Sequence, residues 1–334
     1  MSDASAGSGL PAPSRRPKIS PGIPANRFTG SARLGEALAS GYFNGDCYAD
    51  LAISAASASD MLILYGSASG LTTTNSAGFD RTAIRPDGEY GSGFSIDLAA
   101  ADFNGDGFDD VAAAARDEGI GSHYNAGGVV VFPGTSAGLA TAGSTWWDQD
   151  SPGVPGGVET LDYFGAAMTA GDTDGDGRAE LIVGVPEESI GSKGGAGMVH
   201  VFRGTASGLV AGPAYDQDNA QIPGDAEAGD SFGAALTLAD LDRDGRRDLV
   251  VGVSGETAGS ADYTGAVNVL FSTPTGPSAT GAAYIDQNTA GLPGANEDSD
   301  RFGAGLSRVV NAYGGEALIV SAPYERSPTP TRVP

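Results

Sequence analysis

The sequence predicts an all-β fold made of repeated four-stranded units. An acidic motif recurs with first positions at 42, 102, 172 and 240, and short apolar runs lie between glycine-rich turns. Apolar residues show no helical spacing over a useful length. The chain has 334 residues, 53 of them glycine, about twice the usual share. Four strands per repeat, arranged radially, are typical of the blades of a β-propeller.

The third unit shows how the four strands are recognised. Its first strand is predicted at 164–170, followed by an acidic loop, and its second at 181–186. A glycine-rich loop leads to a third strand at 198–202, and a short turn leads to a fourth at 214–218. Because a single unit leaves apolar faces uncovered, successive units are expected to stack. We expect five units, the last ending after its second strand, with starts near residues 34, 94, 164, 232 and 302.

Both ends of the chain are expected to fall outside the propeller, which is predicted over residues 29–325. Residues 1–28 are rich in Ser, Ala, Gly and Pro and are expected to form a disordered leader. Residues 326–334 are expected to form a disordered, proline-rich tail. Two alternatives remain for the incomplete fifth unit: residues 26–32 add an outer strand to a five-bladed ring, or the chain is a fragment.

The acidic motif has the spacing of a calcium-binding loop. In residues 101–111, oxygen side chains stand at positions 1, 3, 5 and 9, and glycine stands at position 6, where the loop must turn sharply. The backbone carbonyl of position 7 is a further ligand of such loops. Position 12 is Ala113, whereas an EF-hand needs a bidentate Glu there. We therefore predict Ca²⁺ sites in loops that join two strands.

Three copies of the motif keep every ligand, so we predict about three Ca²⁺ ions. We number the loops 1 to 4 from their first positions. The predicted ligands are Asp102, Asn104, Asp106, Phe108 and Asp110 in loop 2, Asp172, Asp174, Asp176, Arg178 and Glu180 in loop 3, and Asp240, Asp242, Asp244, Arg246 and Asp248 in loop 4.

Loop 1 departs from the motif at two positions. Tyr42 replaces the leading Asp and Cys47 replaces the glycine at position 6. A phenol cannot replace a carboxylate, and Cys does not tolerate positive φ as Gly does. The remaining ligands, Asn44, Asp46 and Asp50, are therefore expected to form a fourth site that is weak or empty.

These units resemble the FG-GAP repeats of the integrin α-subunit propeller and its bacterial relatives. A Phe-Gly pair at 164–165, with Gly-Val-Pro at 184–186, carries the resemblance, and related pairs stand at 232–233 and 302–303. The likeness covers about residues 30–325. It implies that each calcium loop joins the first and second strands of a blade, that the ring usually closes with seven blades, and that a partner binds on the opposite face. A seven-bladed ring would make this chain a fragment.

Strand direction places a second set of loops on the face opposite the calcium loops, which we call the upper face. The calcium loops lie on the lower face. Loops on a rigid scaffold often carry function. Candidate ligand contacts on the upper face are Arg116, His123 and Tyr124, together with Trp146, which we expect to be exposed.

Charge and composition narrow the possible functions. The net charge of −24 argues against nucleic acid or an anionic membrane as the partner, and no apolar run approaches the length of a membrane span. No catalytic constellation interrupts the repeat. Our first hypothesis is a non-enzymatic, calcium-stabilised binding or adhesion module that recognises a protein or glycan. The alternatives are a propeller-based polysaccharide lyase or hydrolase, left open by the many carboxylate pairs, and a functionless fragment.

Two signals conflict on the compartment. No export signal is recognisable at the start of the chain. Calcium modules of this type are usually tuned to the ~10⁻⁴–10⁻³ M Ca²⁺ found outside cells. We expect an extracellular or cell-surface protein whose true N-terminus lies upstream of Met1.

Overall fold

A computed structural model describes residues 34–55, 60–80, 94–310 and 314–325. The predicted leader at 1–28, the outer strand at 26–32 and the tail at 326–334 lie outside the described residues. The described chain is all-β, and its sheets are the antiparallel blades of a β-propeller.

The strands fall into four blades of four strands and a fifth of two, each blade running in sequence order. Blade 1 holds β1 (Leu34–Gly41), β2 (Asp50–Ala55), β3 (Asp60–Tyr65) and β4 (Thr72–Asp80). Blade 2 holds β5 (Phe94–Ala101), β6 (Asp110–Ala115), β7 (Val129–Phe132) and β8 (Thr145–Trp147). Blade 3 holds β9 (Ala167–Gly171), β10 (Glu180–Val185), β11 (Met198–Thr205) and β12 (Gly208–Tyr215). Blade 4 holds β13 (Phe232–Ala239), β14 (Asp248–Val253), β15 (Ala266–Leu270) and β18 (Ala283–Ile285), with a small hairpin of β16 (Ser272–Thr273) and β17 (Gly276–Pro277) before β18. Blade 5 holds β19 (Leu306–Val310) and β20 (Glu316–Val320).

The hydrophobic core lies between the blades. The first strands contact one another in succession, β1 with β5, β5 with β9, β9 with β13 and β13 with β19. Aromatic side chains cross the first two junctions: the ring centroids of Phe79 in blade 1 and Phe132 in blade 2 are 4.9 Å apart. Trp147 in blade 2 and Phe202 in blade 3 are separated by the same distance. Each blade is therefore stabilised by burying its faces against its neighbours.

Glycine pairs allow the blades to approach closely. A Cβ atom on Gly184 of β10 would lie 2.2 Å from the carbonyl oxygen of Gly233, which begins blade 4. Gly252 of β14 stands in the same relation to Gly303, again at 2.2 Å. The glycine of the second strand is thus required because the backbone of the Phe-Gly glycine in the next blade packs directly against it.

The first and last blades expose apolar side chains that the inner blades bury. Leu34 and Leu38 on β1 are exposed, as are Val309 and Val310 on β19 and Ile319 on β20. The strands of the inner blades are instead buried or half-buried along most of their length. The outward faces of blades 1 and 5 are apolar, and in blades 2 to 4 the corresponding faces are covered by a neighbouring blade.

The fourth strand of blade 3 differs from the prediction at 214–218. It runs from Gly208 to Tyr215, because a two-residue turn returns the chain directly from β11. In that turn the Thr205 hydroxyl donates a hydrogen bond to the Gly208 carbonyl at 2.6 Å. The alternation of apolar residues does not show how tight the turn is, so the strand begins earlier than expected.

Candidate calcium loops and upper face

The four acidic loops lie on the lower face, each between the first and second strands of its blade. In loop 2, Asp102 accepts hydrogen bonds from the backbone N–H groups of Gly105 at 2.7 Å and Gly107 at 2.9 Å. The Asn104 side chain accepts from the N–H of Asp106 at 2.8 Å, and Asp106 accepts from the N–H of Phe108 at 3.0 Å. Such side-chain to backbone bonds favour tight turns in Asp- and Asn-rich segments. They hold positions 1, 3 and 5 on the inside of the loop.

Loops 3 and 4 bring three carboxylates together. The ligand oxygens of Asp172, Asp174 and Asp176 lie within 4.8 Å of one another, and those of Asp240, Asp242 and Asp244 do the same. Like charges at this separation repel unless a cation lies between them. Oδ1 of Asp240 is buried and has no hydrogen-bond partner among the described residues. An all-oxygen, carboxylate-rich donor set with such an orphaned atom fits Ca²⁺.

Loop 1 keeps the path of the other loops with a poorer donor set. The Asn44 side-chain amide donates to Asp46 at 3.0 Å, so these two side chains satisfy each other. Tyr42 contributes no carboxylate, and its backbone N–H donates to Asp109 of blade 2 at 2.8 Å. Cys47 adopts φ 67° at the position where loops 2 to 4 have glycine. The weak fourth site stays a prediction.

Position 9 has a different environment from positions 1, 3 and 5. Asp110 is 2% exposed and accepts two backbone hydrogen bonds, from Phe103 at 3.2 Å and from Gly134 at 2.9 Å. Asp248 is bound in the same way, by the N–H groups of Leu241 and Ser272, both at 2.9 Å. Burial raises the pKa of Asp110 to about 6. These carboxylates anchor the loop to the turn between strands three and four, a role that the motif spacing does not reveal.

The loops have a second position with positive φ, which the sequence analysis did not predict. Position 4 has φ of 69° at Gly45, 75° at Gly105 and 83° at Gly175. Loop 4 has Arg243 there, at φ 65°. The recurrence of glycine two residues before the position-6 glycine was the available signal.

Each position-7 side chain reaches the loop of the preceding blade. A Cβ atom on Gly45 would meet the Phe108 ring at 2.6 Å, and one on Gly105 would meet Cγ of Arg178 at 3.1 Å. Arg178 also forms an ion pair with the position-5 carboxylate of its own loop, Asp176, as Arg246 does with Asp244. The sequence suggested only the carbonyl of position 7, whereas its side chain connects neighbouring loops.

Three of the four candidates on the upper face lie in the loop between β6 and β7. Arg116, His123 and Tyr124 share one loop, and the Arg116 guanidinium lies 5.4 Å from the ring centroid of Tyr163. Tyr124 is 60% exposed. Trp146 is half-buried, so the expectation that it is exposed is wrong. Its ring lies against Gly128, where a Cβ atom would approach to 2.0 Å, and it packs onto the core between blades 1 and 2.

A second arginine–tyrosine cluster on this face was missed. The Arg301 guanidinium lies 5.6 Å from the ring centroid of Tyr263 and 6.0 Å from that of Tyr324, and all three residues are exposed. Tyr263 and Arg301 have φ of 55° and 54°. The corresponding residues one blade earlier are Gly195 and Ser231, and glycine is the residue that this conformation favours. The exchange of a small residue for Tyr and Arg was the signal in the sequence.

The described part of the chain contains no helix with the length and apolar character that a membrane crossing requires.

Comparison with known proteins identifies the repeat. The FG-GAP repeat matches residues 94–132, 164–202 and 232–270, which contain loops 2, 3 and 4. A phosphatidylinositol-glycan-specific phospholipase D from Dictyostelium discoideum is 26% identical over 239 residues, covering 70% of this chain and 24% of that protein. Integrin alpha-PS2 from Drosophila melanogaster is 29% identical over 226 residues, covering 66% of this chain and 15% of that protein.

Among solved structures, the rhamnogalacturonan lyase PL11 of Bacillus licheniformis aligns over 85% of this chain and 55% of its own, with 14% identity and a TM-score of 0.39. The regions aligned with the phospholipase D and with integrin alpha-PS2 cover about a quarter or less of the length of those two proteins. The resemblance to FG-GAP repeats inferred from the motifs is confirmed by the three matched segments.

Proposed function

From the premise that this chain carries three FG-GAP repeats on a β-propeller, we propose that it is a calcium-stabilised binding or adhesion module. Its upper face recognises a protein or glycan, and it works outside the cell or at the cell surface. The observation that carries the proposal is the convergence of three carboxylates within 4.8 Å in loop 3 and again in loop 4.

Calcium would be held by the oxygens at positions 1, 3 and 5, and its charge would offset the repulsion among them. The loops also tie the blades together. The backbone N–H of Ala179 donates to the Asp102 carbonyl of the preceding loop at 2.9 Å, and that of Asp109 donates to the Tyr42 carbonyl at 3.1 Å. An ion that orders one loop therefore supports the junction with the neighbouring blade.

The upper face has the composition of a recognition surface. Tyr and Arg are enriched among the residues that dominate binding energy at interfaces. The pair of Arg116 and Tyr163 and the cluster of Tyr263, Arg301 and Tyr324 supply these side chains at two blade junctions. His123 lies in the same loop as Arg116 and is kept as a candidate contact.

An enzyme is the second candidate function. The similarity to a phosphatidylinositol-glycan-specific phospholipase D favours it, although this chain spans 24% of that protein. Hydrolysis of a phosphatidylinositol glycan, or cleavage of a polysaccharide, by the purified chain would support this candidate over a binding module.

Calorimetric titration with Ca²⁺ tests the calcium proposal. We expect about three sites, and we expect EDTA to lower the melting temperature, because an ion at 100 times its Kd adds ~2.7 kcal/mol to the folded state. Asp174→Ala should remove the site in loop 3, while Asp150→Ala, at an exposed position outside the loops, should leave all sites intact. No binding heat together with an unchanged melting temperature would overturn the proposal.

Binding to an array of neutral and uronic-acid oligosaccharides tests the upper face. Arg116→Ser and Arg301→Ser should weaken any signal, whereas Arg203→Ser, at an exposed position on β11, should not. A calcium-loaded, folded protein that binds no sugar would remove the glycan from the proposal. A signal that none of the upper-face variants changes would place recognition elsewhere.

A further inference from the structure

A glutamine and a glutamate pair across two successive blade junctions on the upper face. Gln149, just after β8, donates from Nε2 to Oε2 of Glu188 in the loop after β10, at 2.6 Å. Gln217, just after β12, makes the same 2.6 Å bond to Glu256 in the loop after β14. Each pair therefore joins the outer strand of one blade to the loop between the second and third strands of the next.

Both pairs are shielded from solvent. Gln149 and Glu188 are 3% and 4% exposed, and Gln217 and Glu256 are 3% and 6% exposed. Oε1 of each glutamine is buried and has no hydrogen-bond partner among the described residues. A buried acceptor without a donor costs free energy. The lack of a donor to Oε1 at two equivalent junctions therefore needs a physical explanation.

The charges that face the two glutamates are mainly negative. Glu188 faces the carboxylates of Asp162, Glu159 and Asp216, and His123 in turn faces Asp162. Glu256 faces Asp230, Glu227 and Asp225, together with the phenol of Tyr284. Lys193 faces Asp225 and Asp230 but pairs directly with Asp218, at 2.6 Å. An ionised Glu188 or Glu256 would be repelled by these carboxylates, in addition to the cost of burying its own charge.

A carboxylic acid in place of the carboxylate resolves both problems. It removes the buried charge and supplies an O–H donor to the glutamine oxygen that lacks one. Glycines make room for the pair: a Cβ atom on Gly156 would lie 3.0 Å from Nε2 of Gln149 and 3.1 Å from Oε1 of Glu188. Burial also raises the pKa of Glu188 and of Glu256 to about 7.

We propose that Glu188 and Glu256 are protonated in the folded protein below neutral pH and that each donates its proton to Oε1 of its glutamine. The result is a two-bond acid–amide pair that locks the upper ends of neighbouring blades. Loss of the proton removes one bond of the pair and adds an anion to an acidic cluster. The lock therefore loosens as the pH rises, and with it the loops that form the upper face. The inference does not rest on calcium binding.

A third pair provides an internal control. Gln287 donates to Glu325 at the junction of blades 4 and 5, with Gln287 buried and its Oε1 again unpartnered among the described residues. Glu325, however, is exposed. Solvent reaches this carboxylate, so its charge carries no burial cost, and the pair separates the effect of burial from that of the unpartnered amide oxygen.

The test compares Glu188→Gln/Glu256→Gln with the wild type and with Glu325→Gln. Glutamine has nearly the shape of the neutral acid and cannot ionise, so it keeps a two-bond pair at every pH. The folded pKa of about 7 lies above the ordinary value of 4.5. The two bound protons therefore make their full contribution to the free energy of unfolding below pH 4.5, and this contribution is lost as the pH rises through about 7.

Urea unfolding from pH ~4 to ~8, at one calcium concentration, should show a midpoint that falls with pH in the wild type and falls less in the double variant. Glu325→Gln should keep the wild-type slope. The double variant should unfold at higher urea than the wild type at pH ~8. An unchanged slope, or a loss of stability at both ends of the range, would overturn the proposal.

Carboxyl-carbon NMR of the wild type gives a second measurement that needs no variant to fold. Two glutamate signals should titrate near pH ~7, well above the ordinary value for Glu. If every glutamate titrates at its ordinary value, or if two signals shift with added Ca²⁺ instead of with pH, the acid–amide pair is wrong.

Discussion

Replacing Asp110 by alanine is expected to destabilise the protein whether or not calcium is present. Its two oxygens accept the buried backbone N–H groups of Phe103 and Gly134, and alanine leaves both without an acceptor. Each buried group left unsatisfied costs about 1–3 kcal/mol, so the two together cost about 2–6 kcal/mol. That is a large part of the ~5–15 kcal/mol that stabilises a typical domain.

Asp106→Ala in the same loop is the matched comparison. Within the described residues, Asp106 accepts only the exposed N–H of Phe108, so in EDTA its loss should cost under about 0.5 kcal/mol. In calcium it should abolish the stabilisation contributed by loop 2. Asp110→Asn should fall between the two, because its amide oxygen keeps one acceptor.

Urea unfolding followed by tryptophan fluorescence, in EDTA and in excess Ca²⁺, measures these differences. The expected order of stability in EDTA is wild type, Asp106→Ala, Asp110→Asn and then Asp110→Ala. If Asp110→Ala costs as little as Asp106→Ala in EDTA, position 9 is not the anchor of the loop. If Asp110→Ala then loses stability only in calcium, position 9 acts as an ordinary ligand.

Three further predictions follow from single sites. Cys47→Gly and Arg243→Gly should each add about 0.5–1 kcal/mol to the free energy of unfolding, because both residues have positive φ. Equal or lower stability of either variant in urea would contradict this. Arg178→Gln should tighten calcium binding in loop 3 by freeing the position-5 carboxylate, and calorimetry showing unchanged or weaker binding would refute it. Burial lowers the pKa of His200 from 6.5 to about 4, so the unfolded chain takes up the proton first and stability falls as the pH drops from 6.5 to about 4. His200→Val, which copies Val130 of the preceding blade, should reduce this acid sensitivity in urea unfolding at several pH values, and an unchanged pH dependence would count against it.

Interactions between residues close in the chain were accessible from the sequence. The turn of loop 2 depends on hydrogen bonds between residues at most five positions apart, such as that from Gly107 to Asp102. The spacing of carboxylates and glycine therefore predicts that the positions 1, 3 and 5 face inward. The recurrence of the motif predicts the blades, because each repeat has the same faces to bury.

The side-chain environments at the blade junctions depended on tertiary structure. Asp110 meets Gly134 only because strands β6 and β7 pair in register, and Gln149 meets Glu188, 39 residues later, only because blades 2 and 3 stack. Trp146 is half-buried because Gly128, which immediately precedes the neighbouring strand β7, leaves space for its ring. Local spacing specifies which oxygens turn into a loop, whereas burial and the partner of a side chain depend on how distant strands are brought together.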